Sequence, residues 1–261
     1  MPKRRPPPFP GYIFDLDGTI YLSDELIPGA AETVAALRAR GARCAFLSNK
    51  PIQTREDYAA KLNRLGISVA DADVINSTFV MARYLARTAP GARVYVIGEP
   101  PLVRELEKAG MRSSDDPAKI EYVVCAFDRT LHYGKINIAF QAVRRGARLV
   151  ATNPDRTCPF KGYELPDCAG VIGMMEALTG EKVDPIVGKP NPMMIEACAE
   201  RLRMPARECL FVGDRLETDM VMGRRAGCRT ALVLTGVTDR AVLARSEVRP
   251  DYVLNSVRDL A

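Results

Sequence analysis

The sequence predicts an α/β protein built on a doubly wound, mostly parallel sheet, with a smaller α/β segment inserted into it. Three observations carry that expectation. Short apolar runs at Tyr12-Ile13-Phe14, Cys44-Ala45-Phe46-Leu47, Cys209-Leu210-Phe211-Val212 and Ala231-Leu232-Val233-Leu234 alternate with stretches of helical pattern, as strands buried on both faces do. Polar groups follow such runs (Asp15 and Asp17, Ser48 and Asn49, Asp214 with Asp219), and Lys189 follows Ile186-Val187-Gly188. In a parallel sheet these strand ends share one edge, where open α/β sheets bind ligands. Finally, Ala89-Pro90-Gly91 breaks the pattern, and a new set of strands and helices begins beyond it.

Taken in order, residues 1–10 open with Lys3-Arg4-Arg5 and then turn proline-rich, which reads as a disordered arm and lacks the apolar centre of a signal peptide. Tyr12 to Phe14 favour a strand, and Gly18 permits a sharp turn after it. Pro28 to Arg40 is helical, with Gly41 as its stop. The Cys44–Leu47 strand leads to Ser48-Asn49-Lys50, and Pro51 suits the first turn of a helix running to Gly66. A short strand at Asp73-Val74-Ile75 precedes a helix over 78–88. The inserted segment then carries strands at 94–97, 122–126 and 149–151 and helices at 102–110, 135–146 and 174–179. The earlier pattern resumes at Asp184, with a helix over 192–202, strands at 209–212 and 231–234, and an edge strand at Tyr252-Val253-Leu254. The expected division is therefore 11–89 with 184–261 as the main domain and 90–183 as the second.

Composition narrows the function classes. The chain has 261 residues, 47% hydrophobic and 26% charged, and its 37 basic against 32 acidic residues give a net charge of +5. That excess is too mild and too scattered for a nucleic-acid surface, and no apolar run approaches the ~18 residues of a membrane span. Seven cysteines without a Cys-x-x-Cys pair point to buried thiols in a reducing cytoplasm. With His132 the single histidine, a multi-histidine metal site is ruled out. Hydrolytic chemistry here rests on carboxylates, lysine and an oxygen-loving metal.

Read singly, each motif has a plain alternative. Asp15-Leu16-Asp17-Gly18 is either a turn with solvated acids or a pair of carboxylates aimed at one point from a strand end. Ser48-Asn49 is either an ordinary turn or an anion site between a strand end and a helix start. Four coincidences on one edge favour a site. Converging acids repel by roughly 4 kcal/mol per pair at 4 Å and an effective dielectric near 20, so they need compensation, which a magnesium ion and Lys189 supply. Neither a Walker phosphate loop nor a Gly-x-Gly-x-x-Gly fingerprint is present.

In this order the motifs Asp15-Leu16-Asp17-Gly18-Thr19, Ser48-Asn49, Gly188-Lys189-Pro190 and Gly213-Asp214-Arg215-Leu216-Glu217-Thr218-Asp219 resemble those of the haloacid-dehalogenase superfamily of phosphatases. The segment inserted between the Ser-Asn turn and the lysine sits where that family's type 2 caps are inserted. Its Ala151-Thr152-Asn153-Pro154-Asp155 is similar to the NagD-like, p-nitrophenylphosphatase branch, and the run from Gly11 and the Asp214–Asp219 motif resemble arabinose-operon-type sugar phosphatases. The resemblance implies a magnesium-dependent phosphatase of small phosphorylated metabolites. Asp15 is then the nucleophile and Asp17 the acid and base. Ser48, the Asn49 backbone and Lys189 hold the phosphoryl group. Asp15, the Asp17 carbonyl and Asp214 bind Mg2+, and Asp219 orients waters or Lys189. Such a reaction needs an acceleration on the order of 10²¹, or ~28 kcal/mol, so a covalent intermediate, acid–base catalysis and charge clamping must combine.

The resemblance also implies that a loop of the inserted segment, Arg156-Thr157-Cys158-Pro159-Phe160, reaches the site and selects substrate; the alternative is a plain surface loop. Lys50, where the branch often has a small polar residue, either tunes substrate choice or points outward, and His132 reads as a surface residue. A homodimer is left open. A non-catalytic phosphate-ligand-binding module on the same fold is the competing function.

Overall fold

The computed structural model describes residues 6–160 and 162–261, with Pro159 and Phe160 described by backbone alone. Lys3-Arg4-Arg5 lies outside the described residues. Within the expected arm, Phe9 is partly buried: its ring meets Tyr12 edge-on at 6.3 Å, and its N–H donates to the Tyr12 hydroxyl at 3.2 Å. At Phe9 the chain is therefore packed, because its aromatic side chain has a core ring to cover.

In chain order the strands are β1 (Gly11–Asp15), β2 (Tyr21–Leu22), β3 (Glu25–Leu26), β4 (Arg43–Ser48), β5 (Val74–Asn76), β6 (Arg93–Ile97), β7 (Arg112–Ser113), β8 (Tyr122–Cys125), β9 (Arg148–Ala151), β10 (Thr157–Phe160), β11 (Tyr163–Pro166), β12 (Cys209–Gly213), β13 (Arg229–Val233) and β14 (Tyr252–Leu254). The helices are α1 (Ala30–Ala39), α2 (Arg55–Arg64), α3 (Ser77–Thr88), α4 (Pro100–Lys108), α5 (Tyr133–Val143), α6 (Cys168–Thr179), α7 (Met193–Leu202), α8 (Val221–Arg225) and α9 (Arg240–Arg245).

The chain folds into two compact units. The first comprises the described residues up to Ser48, Arg55–Ile75 and Lys189–Ala261; the second comprises Asn49–Thr54 and Asn76–Gly188. A six-stranded sheet in the order β14-β13-β12-β1-β4-β5 organises the first unit, and β1 pairs in parallel with both β12 and β4. The chain runs outward from β1 through β4 to β5 on one side and from β12 through β14 on the other. The order thus reverses beside β1, which opens a crevice at the carboxyl ends of β1 and its neighbours. All five residues of β1 and of β12 are buried, which is why those strands read as unbroken apolar runs.

A four-stranded sheet, β7-β6-β8-β9, carries the second unit, whose core includes Ile97, Val123, Ala139, Leu149, Val171 and Met175. The two units divide at Ser48/Asn49 and Ile75/Asn76, earlier than the Ala89–Gly91 break. Helix α3 belongs to the second unit because it packs along α4. Pro51 starts no helix: 51–54 is irregular and α2 begins at Arg55. Helix α6 begins at Cys168, six residues before the expected Met174, because Asp167 caps it by accepting from the Cys168 N–H at 2.5 Å.

Candidate active site

Strand register sets the site. Asp15 pairs with Leu47 across β4, and Phe14 pairs with Val212 across β12. The residues at and just beyond these strand ends, Asp15, Ser48, Gly213 and Asp214, therefore leave the sheet at one edge. Beyond β1 the chain turns at once: the N–H groups of Thr19, Ile20 and Tyr21 all point at the Leu16 carbonyl, and Gly18 donates to Tyr21 O at 2.8 Å. Gly18 has φ +80°, and a Cβ there would stand 2.7 Å from Asp214 Oδ2. Glycine is thus required both by conformation and by space. Asp17 sits half-buried in this turn.

Four charged groups meet in the first unit. Lys189 Nζ lies 2.6 Å from Asp15 Oδ1 and 2.8 Å from Asp219 Oδ1. All four of Asp15, Lys189, Asp214 and Asp219 are 5% exposed or less, so their charges are little screened. Asp219 rides on a π turn, Leu216–Met220, that follows β12, and its Oδ2 accepts the N–H groups of Asp214 and Arg215 at 3.1 Å each. Both its oxygens are therefore committed, one to lysine and one to backbone. Asp214 differs: its Oδ2 accepts from the Val237 N–H at 2.7 Å, while its Oδ1 is buried with no hydrogen-bond partner among the described residues.

This donor set fits a hard divalent cation. Carboxylate oxygens of Asp15, Asp214 and Asp219 lie within 4.8 Å of one another, and oxygen-only ligation suits magnesium. Three carboxylates against one ammonium leave a deficit of positive charge. Burial pushes the Asp15 carboxyl well above its usual range, Lys189 pulls it back in part, and Asp219 and Asp214 push it up again. Burial and the neighbouring Asp219 raise Asp214 to about 6. On Lys189, burial works against the charge, but Asp15 and Asp219 outweigh it and hold the ammonium protonated. A cation at the unpartnered Asp214 oxygen would return both acids to their ionised forms.

A pH signature follows. In the metal-free protein Asp214 titrates near 6 when folded and near 3.8 when unfolded. Between these values the folded state holds more protons, so stability falls as pH rises from about 4 to 6, by up to roughly 3 kcal/mol. Saturating Mg2+ should flatten that fall. Urea unfolding across this range, with and without the ion, checks it; equal slopes would contradict a cation at Asp214.

Ser48 is buried at the end of β4, and its hydroxyl donates to the Tyr58 hydroxyl of α2 at 3.0 Å. The sequence gives no motif for Tyr58; its only signal is its position on the buried face of α2. Thr235 and Gly236 were similarly silent. The Thr235 hydroxyl donates to Gly18 O at 2.6 Å, and a Cβ on Gly236 would come within 2.0 Å of Asp214 Oδ2.

Asn49, although it directly follows Ser48, is fixed within the second unit. Its side-chain amide donates to Asp155 Oδ2 at 2.7 Å, and its carbonyl accepts from the Ser77 hydroxyl at 2.6 Å. The Asn153 amide donates to Asp155 Oδ2 at 3.1 Å and to Asp167 Oδ1 at 3.0 Å. Lys50 joins this network electrostatically: burial raises the Asp167 carboxyl to about 6, and Lys50 is among the groups opposing that rise. Asp155→Ala should lower kcat about tenfold by freeing Asn49. Asp155→Asn, which still offers an oxygen to the amide, should keep most of it. Equal losses in both variants would show that the Asn49 contact is not what matters.

The segment at 156–160 is not a loop throughout. Residues Thr157–Phe160 pair antiparallel with Tyr163–Pro166 as a β-hairpin, in which Cys158 faces Leu165 and Pro159 faces Glu164. Arg156 is exposed, Thr157 is half-buried and Cys158 is buried. The Pro159 side chain lies outside the described atoms. His132 is exposed and caps α5, its Nδ1 accepting from the Gly134 N–H at 3.1 Å.

Residues 12–112 match the family described as haloacid dehalogenase-like hydrolase, and residues 186–260 match a second family described as HAD-hydrolase-like. The chain is 38% identical over 250 residues to the sugar-phosphatase AraL of Bacillus subtilis (strain 168), covering 96% of this chain and 91% of that protein. A 4-nitrophenylphosphatase of Thermotoga maritima superposes with a TM-score of 0.92 at 35% identity, covering 97% and 96% of the two chains. A glycerol phosphate phosphatase of Mycobacterium tuberculosis, solved in complex with magnesium, gives 0.89 at 30% identity, covering 97% and 76%.

Proposed function

The chain belongs to the haloacid dehalogenase-like hydrolase family and is a phosphoric monoester hydrolase; within that frame we propose a magnesium-dependent phosphatase of small phosphorylated metabolites, sugar phosphates foremost, acting through an aspartyl-phosphate. The observation that carries this reading is the Asp15–Lys189–Asp219 ion-pair cluster beside a buried Asp214 oxygen with no hydrogen-bond partner among the described residues.

In this mechanism an Asp15 oxygen attacks phosphorus, and the bond from phosphorus to the ester oxygen breaks. Asp17, two residues on and half-buried, protonates the departing oxygen. It then takes a proton from the water that attacks phosphorus in the second step, when the bond to Asp15 breaks and the carboxylate is restored. Lys189 favours the ionised form of Asp15 and balances phosphoryl charge. The Ser48 hydroxyl, turning its proton from Tyr58 to a phosphoryl oxygen and accepting the Tyr58 O–H in exchange, holds the phosphoryl group together with the Asn49 N–H. Asp15, Asp214 and the Asp17 carbonyl would hold Mg2+, which would offset the charge of the phosphoryl group and of the three acids.

The second unit acts as the cap and selects the substrate, with the hairpin from Arg156, Thr157, Cys158 and Pro159 as its specificity element. The similarity to AraL over nearly the whole chain is what favours sugar phosphates. A cytoplasmic setting is supported by seven buried cysteine thiols. Among the described residues no helix is long and apolar enough to cross a membrane. The test is hydrolysis of p-nitrophenyl phosphate and a panel of sugar phosphates with Mg2+ and with a chelator. Turnover that needs the ion is expected, whereas phosphate-ester binding without turnover would instead establish a non-catalytic module.

A further inference from the structure

We propose that the first unit carries a second anion site, for an oligophosphate, at the sheet edge opposite the Asp15 cluster. An open concavity of about 740 Å³ there is lined by Arg207, Arg224, Arg229, Arg249 and Asp251. Its place in the fold is clear from the strands: Arg229 is the first residue of β13, level with Leu210, and Arg207 lies in the 3-10 turn just before β12. The two strands then run about 13 Å to Gly213 and Val233, at the edge that carries Asp214. The site is thus separate from the phosphatase centre and does not depend on that reading.

The charge balance makes the case. Four guanidinium groups from four different segments border one hollow, and one carboxylate offsets them. That carboxylate is already committed: Asp251 accepts from Arg229 at 2.6 Å and from the Thr230 N–H and hydroxyl at 2.9 and 3.0 Å. Among the described residues Arg207 has only Glu208, at 3.9 Å, and Arg249 donates to the backbone carbonyls of Ser246 and Val248. Arg224 has no side-chain partner among the described residues. Arg229 and Arg249 each commit one nitrogen, Nη1, of a five-donor fork. Like charges gathered around a hollow repel one another until an anion joins them, and planar guanidinium forks match phosphate oxygens two at a time. The volume is that of a small-molecule site. The lining holds no aromatic ring, so charge and the guanidinium forks are its recognition chemistry. A compact anion of several phosphates is the chemistry that fits.

The probe is tripolyphosphate, titrated into magnesium-free protein and followed by amide NMR shifts. One-to-one binding is expected, weakening with salt, with shifts at Gly227, Cys228, Arg229 and Asp251. R224E/R249E should weaken it at least tenfold while leaving kcat and KM for p-nitrophenyl phosphate within twofold of the parent. Should that variant misfold, R224Q/R249Q serves, with a smaller loss expected. An ATP titration assigns the source: equal affinity points to the phosphates alone, and tighter binding to a nucleotide, either upholding the site. Shifts confined to the Asp15 edge, or an affinity unchanged in the arginine variants, would overturn it.

Discussion

Asp15→Asn should abolish turnover, by on the order of 10⁴-fold or more, and leave the protein at least as stable as the parent. The two halves of that result have separate causes. An amide cannot form the acyl phosphate, so the covalent route is lost. The same change removes one of three buried carboxylates that share a single ammonium, and an asparagine oxygen can still accept from Lys189, now 2.6 Å from Asp15. Repulsion falls while the hydrogen bond survives. Steady-state kinetics and urea unfolding of one preparation check both halves. Loss of activity with loss of fold would leave the nucleophile unproved, and retained activity would sink the assignment.

Lys189→Met should be costly in the opposite sense. The ammonium is buried between Asp15 and Asp219, and removing one partner of a buried ion pair costs about 3–5 kcal/mol. Turnover should fall on the order of 10³-fold, because Asp15 loses the charge that favours its ionised form. The destabilisation is pH-dependent. Without the lysine the folded-state carboxyls move further above their unfolded values, so the folded protein binds extra protons. Stability should therefore recover as pH is lowered below about 6, and Mg2+ should restore part of it at neutral pH. Unfolding of parent and variant at pH 5 and 7.5 measures this. A variant as stable as the parent at both would mean that Lys189 does not hold the clustered carboxylates together as the geometry describes.

Much of this arrangement was legible in the residues, for a physical reason. Central strands of a parallel sheet are buried on both faces, so β1, β4, β12 and β13 show as continuous apolar runs, and the acids and lysine at their ends stand out against them. What escaped notice lacks such a signature. Tyr58 is one aromatic on a helix face, and its bond to Ser48 is a tertiary contact. Gly236 and the Val237 N–H hold Asp214 through backbone alone. Pro159 disguised the hairpin as a loop, since proline argues against a strand except at an edge. The unit boundary moved for a similar reason: α3 has an ordinary amphipathic pattern, and nothing local says that α4 is the helix it packs against.

The measurement that tests the central claim most directly is chemical trapping of the phosphorylated residue. Protein turning over p-nitrophenyl phosphate with Mg2+ is quenched and treated with borohydride, which reduces an acyl phosphate, and the peptides are then sequenced by mass spectrometry. Conversion of Asp15 to homoserine, absent when Mg2+ is chelated and absent in Asp15→Asn, is the result predicted. Phosphate release with Asp15 left unmodified, or modification of a different carboxylate, would contradict the account.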